Sequence, residues 1–324
     1  MSNLSKLIGI MSGGENNNIS EKLLFNKVIG FKGMVPGTGT STIVQNVAIA
    51  LSKKTTLNIC VLDMSMQYPT QYSYLMKDGN KTTSQKDILD YSGDISEVTS
   101  PTKYKNIYLI DFRERTIADM FSSRDSDVIL AEMIDTCKTS FDVILVDLSS
   151  YELTNMNTRA AIKCNKIISV ADQSIKCLSN LKKSLNTQAT LAIPFLKANK
   201  VVLNKVSEEV LAFTQKAFKD VEMTILGQIY FSEEILKAGI NGNKIWEENP
   251  REDFKNFSDV INNIIDEILD ITPKNNQLLI DKDKLDEKEI NEAEIKESFE
   301  KIKSHGKNKD NEDLNTFEDK IIEI

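Results

Sequence analysis

Histidine is nearly absent from this chain. The only one, His305, stands in a charged stretch with no candidate metal partners, which excludes histidine-based zinc sites and histidine-dependent triads. The four cysteines, Cys60, Cys137, Cys164 and Cys177, form no Cys-x-x-Cys pair. Two of them lie in or beside apolar runs, which reads as reduced core thiols in a cytosolic protein. No stretch reaches the roughly 20 apolar residues needed to span a bilayer. Near the start, Leu4, Leu7, Ile8, Ile10 and Met11 make a short apolar run, but Gly13-Gly14-Glu15-Asn16-Asn17-Asn18 follows it instead of a signal-peptide pattern. The expectation is a cytoplasmic protein with no integral membrane segment. A net charge of −8 argues against a protein that coats nucleic acid through its overall charge.

What the chain does have is apolar material in the right rhythm. Its 324 residues, 40% of them hydrophobic, can bury a sizeable core, as two domains or as one large α/β domain with a tail. Seven apolar runs read as buried strands: 27–31, 58–63, 106–111, 142–147, 166–171, 200–204 and 224–231. Most are continuous, such as Ile59-Cys60-Val61-Leu62, as expected of a parallel sheet covered on both faces. Helical patterns fall between most of them, one opening at Ser207-Glu208-Glu209 with a cap residue and first-turn acids. The expected fold is a doubly wound, mostly parallel α/β domain over residues 26–265, preceded by an N-terminal extension, 1–25. A tail dense in both charge signs, 266–324, follows. Its apolar residues are spaced too irregularly for a coiled coil, and it reads either as a solvated segment with transient helix or as a helix that docks on a partner.

The most informative stretch is Met34-Val35-Pro36-Gly37-Thr38-Gly39-Thr40-Ser41-Thr42. The strand-like run 27–31 leads into it, and a helical run from Ser41 to about Lys53 leaves it. Strand, glycine turn and helix together let backbone N–H groups and a helix N-terminus cradle phosphates. Lysine usually precedes the Ser/Thr of such a loop, and here Thr40 takes that place. Gly37, Thr38, Gly39, Thr40, Ser41 and Thr42 are the expected nucleotide-binding residues. Three further elements recur in order. Asp63 ends the second strand, Asp147 ends Val143-Ile144-Leu145-Val146, and Asn204 ends Val201-Val202-Leu203. Asp147 can hold magnesium through water while the Ser41 hydroxyl contacts the ion directly, with Asp63 completing the metal neighbourhood. The amide of Asn204 can pair with an adenine edge. The expected ligands are ATP and magnesium.

These motifs resemble the ParA/MinD superfamily of deviant-Walker P-loop ATPases over about residues 25–265. Ile225-Leu226-Gly227-Gln228-Ile229, Glu233 to Ala238 and Asn241-Gly242 resemble that family's last strand and adenine-side loop. The resemblance implies a nucleotide-sandwich homodimer that positions a protein cargo or a plasmid. The departures are specific. Val35 occupies the place of the signature lysine that reaches into the partner subunit, Pro36 replaces a glycine, Thr40 replaces the loop lysine, and Ser65 replaces a water-orienting carboxylate. A charge-assisted hydrogen bond is worth roughly 1.5–3 kcal/mol, and a lost transition-state donor costs about 10² to 10³ in rate. The implication is weak nucleotide binding with weak or absent hydrolysis.

A loop without its lysine looks like the TadZ/CpaE branch, which places pilus machinery. That branch often carries a receiver-like domain ahead of the ATPase fold, whereas about 25 residues precede the first strand here. A scaffolding role in a pilus, secretion or conjugation-type assembly is therefore the first expectation. Bacterial tyrosine kinases have a similar loop, but they end in a tyrosine cluster and no tyrosine follows Tyr230. A third reading rests on charge. Between Gln173 and Ser207 there is no acid, while Lys176, Lys182, Lys183, Lys197, Lys200 and Lys205 occur, a pattern suited to non-specific DNA binding by a partition-type ATPase.

Overall fold

The computed structural model describes residues 27–65, 70–76, 88–112, 126–148, 155–179, 181, 183 and 199–280. Eight strands form one sheet: β1 Lys27–Gly33, β2 Ile59–Asp63, β3 Ser100–Pro101, β4 Ile107–Ile110, β5 Val143–Leu148, β6 Lys166–Ala171, β7 Lys200–Val206 and β8 Thr224–Tyr230. Their order is β3-β4-β2-β5-β1-β6-β7-β8. Every pairing is parallel except that of the short edge strand β3 with β4. The doubly wound, mostly parallel sheet expected from the seven apolar runs is present. β3, two residues long, carried too little apolar signal to be read beforehand.

The continuous apolar strands divide their side chains between two layers. Ile29 and Phe31 of β1, with Val143 and Leu145 of β5, join the cluster under α1 (Thr40–Lys54) and α7 (Glu252–Ile280). Val28, Ile144 and Val146 join the opposite cluster, under α3 (Ser126–Ser140) and α4 (Asn155–Lys163). Alternation therefore persists, but both faces are buried, so each strand reads as an unbroken run. A third cluster at the β6–β7 side gathers Met34, Val35, Cys177 and Leu203 with Phe218 from α5 (Leu211–Lys219).

Two further helices flank the sheet, α2 (Gln71–Leu75) and α6 (Glu233–Ile240). The helix expected to open at Ser207 begins instead with a 3-10 turn over Glu208–Val210, and Ser207 makes no side-chain cap bond. α7 runs through residue 265 and packs on the sheet as far as Ile268, and the compact unit ends at Thr272. At the amino ends of the strands, the Lys27 Nζ donates to the carbonyl of Ile268 at 3.0 Å, and Lys166 and Lys200 both pair with Glu267. All four cysteines are buried and none forms a disulfide. Among the described residues, no helix is long and apolar enough to cross a membrane.

Candidate functional site

β1 ends at Gly33 and α1 begins at Thr40, so the glycine stretch is the turn between the central strand and a buried helix. Two of its residues need glycine. Gly37 has φ +85° and Gly39 φ +90°, a region where a Cβ is strained. Gly39 also has no room, since a Cβ there would meet the Asn204 Nδ2 at 2.4 Å. As N-cap of α1, Gly39 offers no side-chain acceptor, so the first N–H groups of the helix are left to solvent or an anion.

Val35 and Thr40, where the resemblance led one to expect lysines, are both buried. Val35 is 8% exposed and packs in the cluster with Ala171, Cys177 and Leu203. Thr40 is 7% exposed, and its hydroxyl lies 3.2 Å from that of Thr38. Both side chains thus lie within the protein. Lys32 lies on the other face of the sheet. It follows Val28 and Gly30 in the alternation of β1, on the side toward α3 and α4, away from the helix that Thr40 begins. Burial there pushes its pKa below the ordinary lysine value.

The acids expected at strand ends lie side by side. Asp63 and Asp147 are register partners across β2 and β5, and both are buried. Asp63 accepts from the N–H groups of Ser65, Thr70 and Gln71 at 2.9, 3.2 and 3.1 Å. Burial, together with the neighbouring Asp147 carboxylate, still pushes its pKa well above the usual range. Asp147 accepts from the Gln71 Nε2 at 2.8 Å and from the Ser41 hydroxyl, yet burial lifts it to about 6. Asp111, beyond the end of β4, is a third buried carboxylate that acts on Asp63.

Gln71 was not among the expected site residues. It bridges the Ser41 carbonyl, at 3.0 Å, to Asp147, while its own Oε1 is buried with no hydrogen-bond partner among the described residues. An orphaned acceptor beside a hydroxyl and a raised carboxylate fits a hydrated divalent cation, whose waters would donate to both. Among the described residues, no group of three or more His, Cys, Asp or Glu could hold a metal alone. Such an ion would therefore need phosphate oxygens as further ligands.

Asn204 is brought to the loop, but its amide is already engaged. The Nδ2 donates to the Thr38 carbonyl at 2.7 Å, and the Oδ1 accepts from the Lys205 N–H at 3.0 Å. Beside it opens a cleft of about 240 Å³, lined on the loop side by Gly39, Thr42 and Asn204 and on the other by Phe231, Ile235 and Leu236. Its apolar wall and polar floor have the make-up of a site for a flat base.

Of the lysines read as a basic patch, Lys200 and Lys205 stand toward opposite ends of β7. Lys200 begins β7 and pairs with Glu267 at 3.9 Å, whereas Lys205, near the other end of the strand, donates to the Gly37 carbonyl at 2.6 Å. Lys176 and Lys183 are exposed; Lys182 and Lys197 lie outside the described residues.

A profile of the AAA domain family matches residues 26–194. No curated protein matches the chain. Among solved structures, the ParA family ATPase of Chlorobium tepidum TLS is 18% identical with a TM-score of 0.60, covering 76% of this chain and 98% of that one. MinD of Pyrococcus horikoshii OT3, complexed with Mg-ADP, is 20% identical at a TM-score of 0.60, covering 77% and 99%. A putative plasmid partition protein of Borrelia burgdorferi B31, bound to AMPPNP, is 19% identical at 0.61, covering 75% and 99%. The fold is that of the ParA and MinD ATPases.

Proposed function

This chain belongs to the AAA domain family, and from that premise we propose that it binds magnesium ATP weakly at the glycine loop and hydrolyses it slowly or not at all. Gly37 to Thr42 hold the phosphates, the Ser41 hydroxyl and Asp147 hold the magnesium with Asp63 beside them, and the cleft next to Asn204 takes the base. The observation that carries the reading is the inward turn of Val35 and Thr40 beside a loop whose glycines and helix start are kept. Binding geometry survives where the charges for turnover do not. ATP then acts as a structural ligand, and the protein serves as a positioning or scaffolding factor, a homodimer in the manner of the TadZ/CpaE-like branch, in a pilus, secretion or conjugation-type assembly. Recruitment to a membrane-associated or polar assembly would come through that partner.

Titration calorimetry with a non-hydrolysable ATP analogue and magnesium tests the site. Heat of binding is expected at sub-millimolar to millimolar nucleotide, with Asp147→Ala reducing the magnesium dependence. No heat at millimolar nucleotide would remove the proposal.

A further inference from the structure

Lys205 is one of two non-glycine residues with a positive φ among the described backbone, at +57°. A long side chain in that region is strained, and strain of this kind persists where its surroundings hold it. It sits in an irregularity of β7, where the register against β8 shifts between Leu203 and Val206. Such a bulge re-aims the side chains at its centre. Here it aims both at the loop. The Asn204 Nδ2 donates to the Thr38 carbonyl at 2.7 Å, and the Lys205 Nζ donates to the Gly37 carbonyl at 2.6 Å. Consecutive residues of one strand thus hold consecutive carbonyls of another element 166 to 168 positions away.

The consequence follows from peptide geometry. In a planar trans peptide the C=O and the following N–H point in opposite directions. Fixing the Gly37 carbonyl from one side turns the Thr38 N–H to the other, and fixing the Thr38 carbonyl does the same for the Gly39 N–H. Successive N–H groups turned one way make an anion-binding concavity. Gly37 has open space where a Cβ would lie, so no side chain of its own packs there to hold the turn.

We infer that Lys205, with Asn204, clamps the loop so that the N–H groups of Thr38 and Gly39 face a bound polyphosphate. The pair supplies from β7 the loop restraint and the nearby positive charge that residue 40 no longer supplies. Lys205 is a positioning residue, and the inference rests on the nucleotide reading above.

Calorimetric titration of the full-length chain and of its Lys205→Met, Lys205→Arg and Lys205→Gly variants with magnesium ATP and with inorganic tripolyphosphate tests it. Lys205→Met is expected to weaken both ligands by about three- to ten-fold, and Lys205→Arg to restore them. Lys205→Gly relaxes the left-handed backbone, so its Tm should hold or rise while polyphosphate binding weakens. A residue that only supports the fold would not combine those signs. The clamp is overturned if Lys205→Met keeps both affinities to within about two-fold. It is also overturned if ATP alone weakens, which would mark a contact with the base, or if the unmodified chain binds ATP but no tripolyphosphate. Failure of the unmodified chain to bind either ligand removes the nucleotide reading itself, and the clamp with it.

Discussion

The hydroxyls of Thr38 and Thr40 lie 3.2 Å apart inside the protein, so the residue that precedes Ser41 is bonded to its own loop. A lysine at position 40 would have to leave this contact and reach out over the helix start. Thr40→Lys is expected to strengthen ATP binding by about ten-fold, the value of one charge-assisted hydrogen bond. It should do little for turnover, because Val35 and Ser65 still supply no charge. Calorimetry alongside steady-state phosphate release on the variant checks both halves. A large gain in rate from this single change would show that the other two positions were not limiting.

Gly39 and Asn204 give a second expectation. With φ +90° and a Cβ that would meet the Asn204 Nδ2 at 2.4 Å, Gly39→Ala must either strain the backbone or push Asn204 off the Thr38 carbonyl. A loss of about 1–3 kcal/mol in denaturant unfolding is expected, together with loss of ATP binding. Wild-type stability in this variant would contradict the close approach of β7 to the loop.

The sheet could be read in the sequence because each strand is a run of apolar residues long enough to bury on both faces. Val143-Ile144-Leu145-Val146 is the clearest case, and its two alternating sets do enter two different clusters. The loop was legible for another reason, since Gly37 and Gly39 mark positions that other residues reach only under strain. What stayed hidden depends on three-dimensional return. Gln71 becomes a site residue only because Asp63 accepts its N–H and turns it toward Asp147. Lys205 counted as one lysine in a basic stretch, and its approach to Gly37 depends on a strand irregularity that no apolar period records. Val35 was read as standing in the place of a lysine, whereas its inward packing rests on Cys177 and Leu203, far away in sequence.

Asp147 makes stability depend on pH. Burial lifts its carboxyl from the ordinary 3.8 to about 6, so the folded state holds the proton more tightly than the unfolded one. Well below pH 3.8 the group is neutral in both states and costs nothing. As pH rises toward 6 the unfolded chain ionises first and stability falls, and above 6 the full cost is present. At about 1.4 kcal/mol per unit, Asp147→Asn should stabilise the ligand-free protein by about 1–3 kcal/mol at pH 8. The gain should shrink steadily between pH 6 and pH 4. Unfolding curves of both proteins across that range decide it, and a gain that grew on acidification would have the wrong sign.

Association should not depend on nucleotide. Val35, where the resemblance led one to expect a cross-subunit lysine, is packed against Cys177 and Leu203 instead. A dimer is therefore expected by light scattering at equal strength with and without ATP. A monomer under both conditions would contradict the proposed homodimer, and a dimer formed only with ATP would show that another group bridges the subunits through the nucleotide.

The most direct test of binding without turnover is the identity of the nucleotide on the protein. The purified chain is incubated with magnesium and ATP for several hours, separated rapidly from free ligand, and the bound fraction is analysed chromatographically. The account predicts intact ATP on the protein and phosphate release indistinguishable from a protein-free control, with DNA present or absent. Bound ADP with phosphate released in multiple turnovers would contradict it, and would mean that a group other than residues 35, 40 and 65 supplies the charge for hydrolysis.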